Sequence, residues 1–344
     1  MSDARRRLAL VIASGLVVLA TVVYLAVELR GRPQEQGPAA LDPAAVDASL
    51  FFRSTADDDY GQVSFVEAGR QRTSATATSR RCDRIDVLPD RTMVCLIAQV
   101  SPLSRSRLSV IRPDGSVVDT WQVPGVPSRV RFSPDGSLVA STTFVQGHSY
   151  LQAGFSTTTQ VHRVGGGSVD LEDYDLVLEG EEKRPVDRNY WGVTFVDART
   201  FYATLRSGDS TWLVRGDTRD RTLTSLRTDA ECPSLSPDGT ALVYKKRDGH
   251  EGADWTLALL DLRSGDERLL GEQRSVDDQV EWLDDSTVLY AVPHDRQPGR
   301  SDVWELGTAD RSEPRLLVED ATSPSVVPTK GDGTEWLPLG EPSE

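Results

Sequence analysis

Beyond the first fifty residues the chain alternates apolar and polar positions in short runs separated by tight turns, the period-two signature of half-buried β-strands. The clearest unit is Val130-Arg131-Phe132-Ser133-Pro134-Asp135-Gly136-Ser137-Leu138-Val139-Ala140. Its Pro-Asp-Gly turn combines a preset φ, an Asx hydrogen bond and a residue that tolerates positive φ, so it predicts a hairpin. The phrase returns from Pro233 to Tyr244 around Ser236-Pro237-Asp238-Gly239, and weaker copies run Ile85–Val94, Val193–Tyr202 and Val280–Tyr290. Anchored on the apolar residue before each turn, the copies fall at 87, 132, 195, 235 and 282, with gaps of 45, 63, 40 and 47. Repeats of this size are the blades of a propeller. The long gap accommodates an insertion from Gly147 to Ser156 and an acidic stretch near Glu179, and a degenerate sixth copy is Pro324-Ser325-Val326-Val327-Pro328.

Between these inner hairpins lie outer ones: Val63–Thr73, Leu108–Val118, Thr159–Leu171, Trp212–Leu226, Leu257–Leu270 and Val303–Val318. The first outer hairpin has no inner partner upstream, and the last inner copy has no outer partner downstream. Joining C-terminal inner strands to N-terminal outer strands closes the ring and hides its free edges. The expected fold is therefore all-β, a six-bladed β-propeller. A seventh blade would need a hidden copy inside the long third repeat.

The phrases around Phe132 and Leu235 resemble the repeat of TolB-type propellers and the related blades of prolyl-oligopeptidase N-terminal domains. Trp191-Gly192-Val193-Thr194-Phe195, Phe201–Leu205, Glu231–Gly239 and Arg274–Gln279 are similar to membrane-tethered proteins of high-GC Gram-positive bacteria known as TolB-like translocation proteins. The resemblance spans nearly all of the chain after the tether and implies the propeller fold. It says little about function, since propellers host many functions. TolB itself carries an N-terminal α/β domain, for which there is no room between Ala45 and the first outer hairpin, so the resemblance does not bring the Tol–Pal role with it.

The N-terminal segment follows another pattern. Leu8 to Val27 is an uncharged apolar run of 20 residues, long enough as a helix to cross a bilayer core. Arg5, Arg6 and Arg7 precede it and orient the N-terminus toward the cytoplasm. Residues 1–7 thus read as a cytoplasmic tail, 8–27 as a transmembrane signal anchor, 28–48 as a Pro-rich tether and 49–344 as the propeller, held outside the cytoplasm. A cleaved signal peptide followed by secretion is the alternative, though the run is long for one and lacks an A-x-A-like end.

Composition narrows the partners. A net charge of −15 and a pI near 4.8 repel phosphate backbones, so no nucleic-acid partner is expected, and membrane contact is expected only through the N-terminal helix. Of the three cysteines, Cys82 and Cys95 bracket a predicted hairpin across which a disulfide is geometrically feasible. Two separate buried thiols are the other reading.

Catalytic signatures are sparse. No G-x-S-x-G pentapeptide occurs, and His148, His162, His250 and His294 stand apart, read as loop or blade-surface residues. Asp57-Asp58-Asp59 and Asp284-Asp285 read as turn formers, not a calcium loop. No catalytic residue, metal ligand or cofactor is assigned. Segments entering the inner strands of a propeller converge on one face, which gathers Asp187, Asn189, Trp191, Glu231, Asp277 and Asp278 into an acidic, partly aromatic mouth. The expected function is non-enzymatic: a membrane-anchored binding or scaffold propeller recognising a protein, peptide or cell-wall ligand. The alternative is an envelope enzyme of lyase, lactonase or glycosidase type working with these carboxylates.

Overall fold

Each apolar–turn–apolar phrase becomes an antiparallel hairpin, and the hairpins pair into six sheets arranged in a ring. The computed structural model describes residues 48–67, 75–100, 104–145, 156–247 and 254–327. The expected tail, membrane segment and most of the tether lie outside these residues. Among the described residues, no helix is long and apolar enough to cross a membrane.

From its inner edge outward, blade 1 consists of Ala321–Val326, Ala48–Ser54, Gln62–Glu67 and Thr76–Arg81. Blade 2 is Arg84–Val87, Met93–Gln99, Arg105–Ile111 and Val117–Pro124, and blade 3 is Val126–Phe132, Leu138–Val145, Ser156–Arg163 and Ser168–Asp170. Blade 4 begins with Asn189–Phe195, Thr200–Ser207, Ser210–Asp217 and Thr222–Thr228. Blade 5 is Glu231–Leu235, Ala241–Arg247, Trp255–Asp261 and Glu267–Leu269, and blade 6 is Glu281–Asp284, Thr287–Pro293, Ser301–Gly307 and Arg315–Val318.

The ring closes as expected in kind, but the division differs. One C-terminal strand, not a hairpin, joins three N-terminal strands, with Leu50 opposite Val326 and Phe51 opposite Ser325. The unforeseen strand is Ala48–Ser54, whose Leu50, Phe51 and Phe52 are all buried. The acidic stretch near Glu179 also has a role: Asp175–Leu178 and Glu181–Lys183 form a hairpin that widens blade 4 to six strands. It attaches by parallel pairing of Asp175–Val177 with Thr222–Thr224, because Leu176 and Leu178 continue the apolar layer between blades 3 and 4.

The Ser-Pro-Asp-Gly turns behave as their chemistry dictates. Asp135 accepts from the Ser133 hydroxyl (2.7 Å) and the Ser137 amide (3.1 Å), while Gly136 takes φ +70°. A Cβ at Gly136 would meet only the flexible end of Leu88, Cδ1 at 2.6 Å, so φ is what holds glycine at this turn. Apolar clusters lie between successive blades, as where Val94, Leu96 and Leu108 of blade 2 pack on Val130, Phe132 and Val139 of blade 3. Cys82 and Cys95 are disulfide-bonded, with Cα atoms 5.5 Å apart, and tie the entry of blade 2 to its second strand. Cys232 is a free, buried thiol.

His162 departs from the expected surface placement. It sits within Ser156–Arg163 with no exposed surface, between the Ser141 hydroxyl (2.8 Å) and the Ser168 hydroxyl (2.6 Å), and its ring meets Trp121 of blade 2 at 5.1 Å. The alternation that reads as half-exposed along one strand is covered here by the neighbouring blade.

Candidate functional site

All inner strands run the same way, so their starting residues gather at one end of the ring. That end holds a cavity of about 460 Å³ whose walls come from blades 2 to 5 and the segment entering blade 6. Backbone irregularities aim the side chains into it. The inner strand of blade 4 breaks register between Trp191 and Thr194, with Gly192 at φ +63°, and that of blade 5 breaks between Glu231 and Ser234, with Cys232 at φ +50°. The two bulges nest: a Cβ on Gly192 would lie 2.5 Å from the Cys232 Cα.

Three of the six residues expected at the mouth line this cavity: Trp191, Glu231 and Asp277. The other three serve the scaffold. Asp187 accepts from the Ser207 hydroxyl and the Gly208 amide, both at 2.7 Å, and so fixes a turn within blade 4. Asn189 accepts from the Thr157 amide at 2.9 Å and links blades 3 and 4. Asp278 is buried and accepts from the Gln279 amide at 2.9 Å and the Ala291 amide at 3.3 Å.

The expectation of an acidic mouth is corrected by the partners of those carboxylates. Asp277 is 2.5 Å from Lys245 and 4.0 Å from Arg129, and Glu231 accepts from Arg247 at 3.0 Å. Arg84, Arg129 and Lys245 line the same cavity, so cations match or outnumber the carboxylates there. Desolvation would raise the Asp277 pKa, but Lys245, Arg129 and Arg84 more than offset it and hold the carboxyl below its usual value. Arg84 moves the other way: burial and then the like charge of Arg129 depress its pKa to about 10. Trp255 completes the wall, with Lys245 Nζ 4.6 Å and the Arg247 guanidinium 5.2 Å from its ring centre.

Arg84, Arg129, Lys245 and Trp255 were not singled out from the sequence. Arg84 and Arg129 stand three residues before the repeat anchors Val87 and Phe132, and Trp191 and Glu231 four before theirs, so the bulges of blades 4 and 5 are needed to bring them to equivalent positions. Lys245 stands directly opposite Glu231 in the adjacent strand.

Side chains farther along the inner strands bridge the ring beyond the cavity. Arg131 of blade 3 donates to the Glu281 carboxylate of blade 6 and to the Val280 carbonyl at 3.2 Å, while Gln279 donates to the carbonyls of Val193 (3.0 Å) and Pro233 (2.8 Å). Strands from opposite sides of the ring are thereby joined through its centre. The rim is apolar in places: Val126 and Phe144, paired across blade 3, are 51% and 41% exposed, and Val186 ahead of blade 4 is 97% exposed.

No family model and no curated protein matches this chain. Among solved structures, TolB from Acinetobacter baumannii superposes with a TM-score of 0.58 at 16% identity, covering 83% of this chain and 67% of that one. A chain from a nidogen/laminin complex gives 0.55 at 12% identity over 82% of this chain and 99% of that one. An oligogalacturonate lyase determined with manganese gives 0.46 at 13% identity, covering 76% of each chain, too distant a likeness to carry an argument. Identities this low speak for the fold alone, and that fold is a six-bladed β-propeller, similar to the propeller of TolB.

Proposed function

We propose that this chain is a non-enzymatic binding propeller, anchored by residues 8–27 outside the cytoplasm, which engages a protein, peptide or cell-wall ligand at the open end of its ring. One observation carries the reading: a cavity, walled by Trp191, Trp255 and paired charges, opens inside a rim bearing exposed Val126 and Phe144. An apolar rim around a polar, aromatic depression is the anatomy of a recognition site. A glycosidase-type acid would need a carboxyl with a raised pKa. Asp277 is instead held down and paired with Lys245, which suits a charge that positions rather than one that donates a proton.

The test is site-specific photocrosslinking of the full chain in its native envelope. A benzophenone side chain at position 144 is expected to capture a partner, and one at position 135, on the turns of the opposite face, is not. Capture only from position 135 overturns the reading.

A further inference from the structure

The charges at the open end do not cancel locally. Glu231 is taken by Arg247, Asp277 by Lys245 with Arg129 close by, and Asp278 by two backbone amides. Arg84 has no carboxylate within ion-pair distance among the described residues; its hydrogen bond runs from Nε to the Ser128 carbonyl at 2.5 Å. Arg129, a second cation, acts on it more strongly than any carboxylate does, with Asp278 and Asp83 offsetting part of that repulsion. Two further donors in the same wall are buried without an acceptor, Arg129 Nε and Trp255 Nε1. Two buried donors without an acceptor, beside a guanidinium that no carboxylate touches directly, in a protein of net charge −15, favour a ligand that brings negative charge with it.

We propose that this cavity is an anion site in which the Arg84 guanidinium, backed by Arg129, receives a carboxylate whose attached group lies against Trp191 and Trp255. The planar fork of Arg84 keeps its outer nitrogens for the ligand because Nε is already committed to Ser128. Asp277, 61% exposed at the opening, competes for the same cations and keeps weak anions out. A volume of about 460 Å³ admits one acidic sugar or the last residue of a peptide, not a larger body. The inference rests on the reading of this end as the binding face, and adds the sign of the charge it selects.

Titration calorimetry on the full chain tests it with paired probes: N-acetyl-leucine against its neutral amide, and glucuronate against glucose. The acid of at least one pair is expected to bind about tenfold or more tightly than its neutral partner, and to weaken as salt rises. The tighter pair identifies the source of the carboxylate. Arg84→Gln is expected to remove the preference for acid, whereas Asp277→Asn, which frees Lys245, is expected to strengthen acid binding by about threefold. Equal binding of acid and neutral partner, no binding by either acid, or an Arg84→Gln chain that keeps the preference would overturn the anion site. The acid-to-neutral comparison needs no variant, so misfolding cannot mimic a negative result. A crosslink from position 144 that Arg84→Gln leaves intact would reject the anion while keeping the face.

Discussion

Arg131 and Glu281, 150 positions apart in sequence, meet across the middle of the ring with their side chains 17% and 12% exposed. Burial alone would depress the Arg131 pKa, but the carboxylates of Glu281 and Asp86 more than offset it and raise it. The contact ties blade 3 to blade 6, while Glu281 also accepts from the Val326 amide of blade 1 at 3.2 Å. Three blades therefore share one carboxylate.

Removing that carboxylate leaves a buried guanidinium with only the more distant Asp86, at 3.9 Å, as an ion-pair partner. Glu281→Ala is expected to cost about 3–5 kcal/mol of unfolding free energy in denaturant titration. The double change Arg131→Met with Glu281→Leu is expected to cost less, because the carboxylate it leaves behind, Asp86, still accepts from the Val87 and Phe132 amides and the Ser325 hydroxyl. A double variant as unstable as the single one would mean that packing, not charge, makes the contact matter.

His162 makes stability depend on pH. Its burial lowers the folded-state pKa to about 4 from an ordinary 6.5, so the folded protein resists protonating it. The unfolded chain then binds the proton first, and stability is lost as pH falls from about 6.5 toward 4. A gap of that size corresponds to about 3 kcal/mol. Denaturation curves at a series of pH values should show this slope in the wild-type chain and lose it in His162→Gln.

The Cys82–Cys95 bridge closes a short loop, with a separation of 13 residues, at the start of blade 2. Replacing both cysteines by serine is expected to lower stability by about 3 kcal/mol. In the intact folded protein, buried Cys232 should react with a thiol reagent only after denaturant is added.

Much of the fold was legible from the repeat because Ser133-Pro134-Asp135-Gly136 and Ser236-Pro237-Asp238-Gly239 impose a turn by local chemistry alone. The three-plus-one closure was not. Leu50-Phe51-Phe52 follows directly on a Pro- and Ala-rich tether and has no turn signal of its own before it, so nothing local separates strand from tether. His162 was misplaced because the residue that covers it, Trp121, belongs to another blade. Trp191, Glu231 and Asp277 do converge at the entry end of the inner strands, because the repeat places them at equivalent ends of neighbouring blades. The charge of the mouth was misjudged because each carboxylate's partner lies elsewhere in sequence: Lys245 is 32 residues from Asp277, and Arg129 is 148 away.

The split of blade 1 predicts how the chain responds to truncation. Ending the chain after Glu319 removes the inner strand Ala321–Val326 and uncovers the edge of Ala48–Ser54. Such a chain is expected to unfold at a lower temperature, with a broader transition, and to self-associate through the free edge. Calorimetry and light scattering read both effects.

The claim that the partner enters the cation-lined cavity is tested most directly by the yield of the crosslink formed from position 144, compared between the Trp255 chain and Trp255→Ala. With thermal midpoints matched to within a few degrees, the adduct is expected to fall about tenfold, as for an aromatic anchor removed from the middle of an interface. An undiminished adduct would contradict the account, placing the partner on the rim alone.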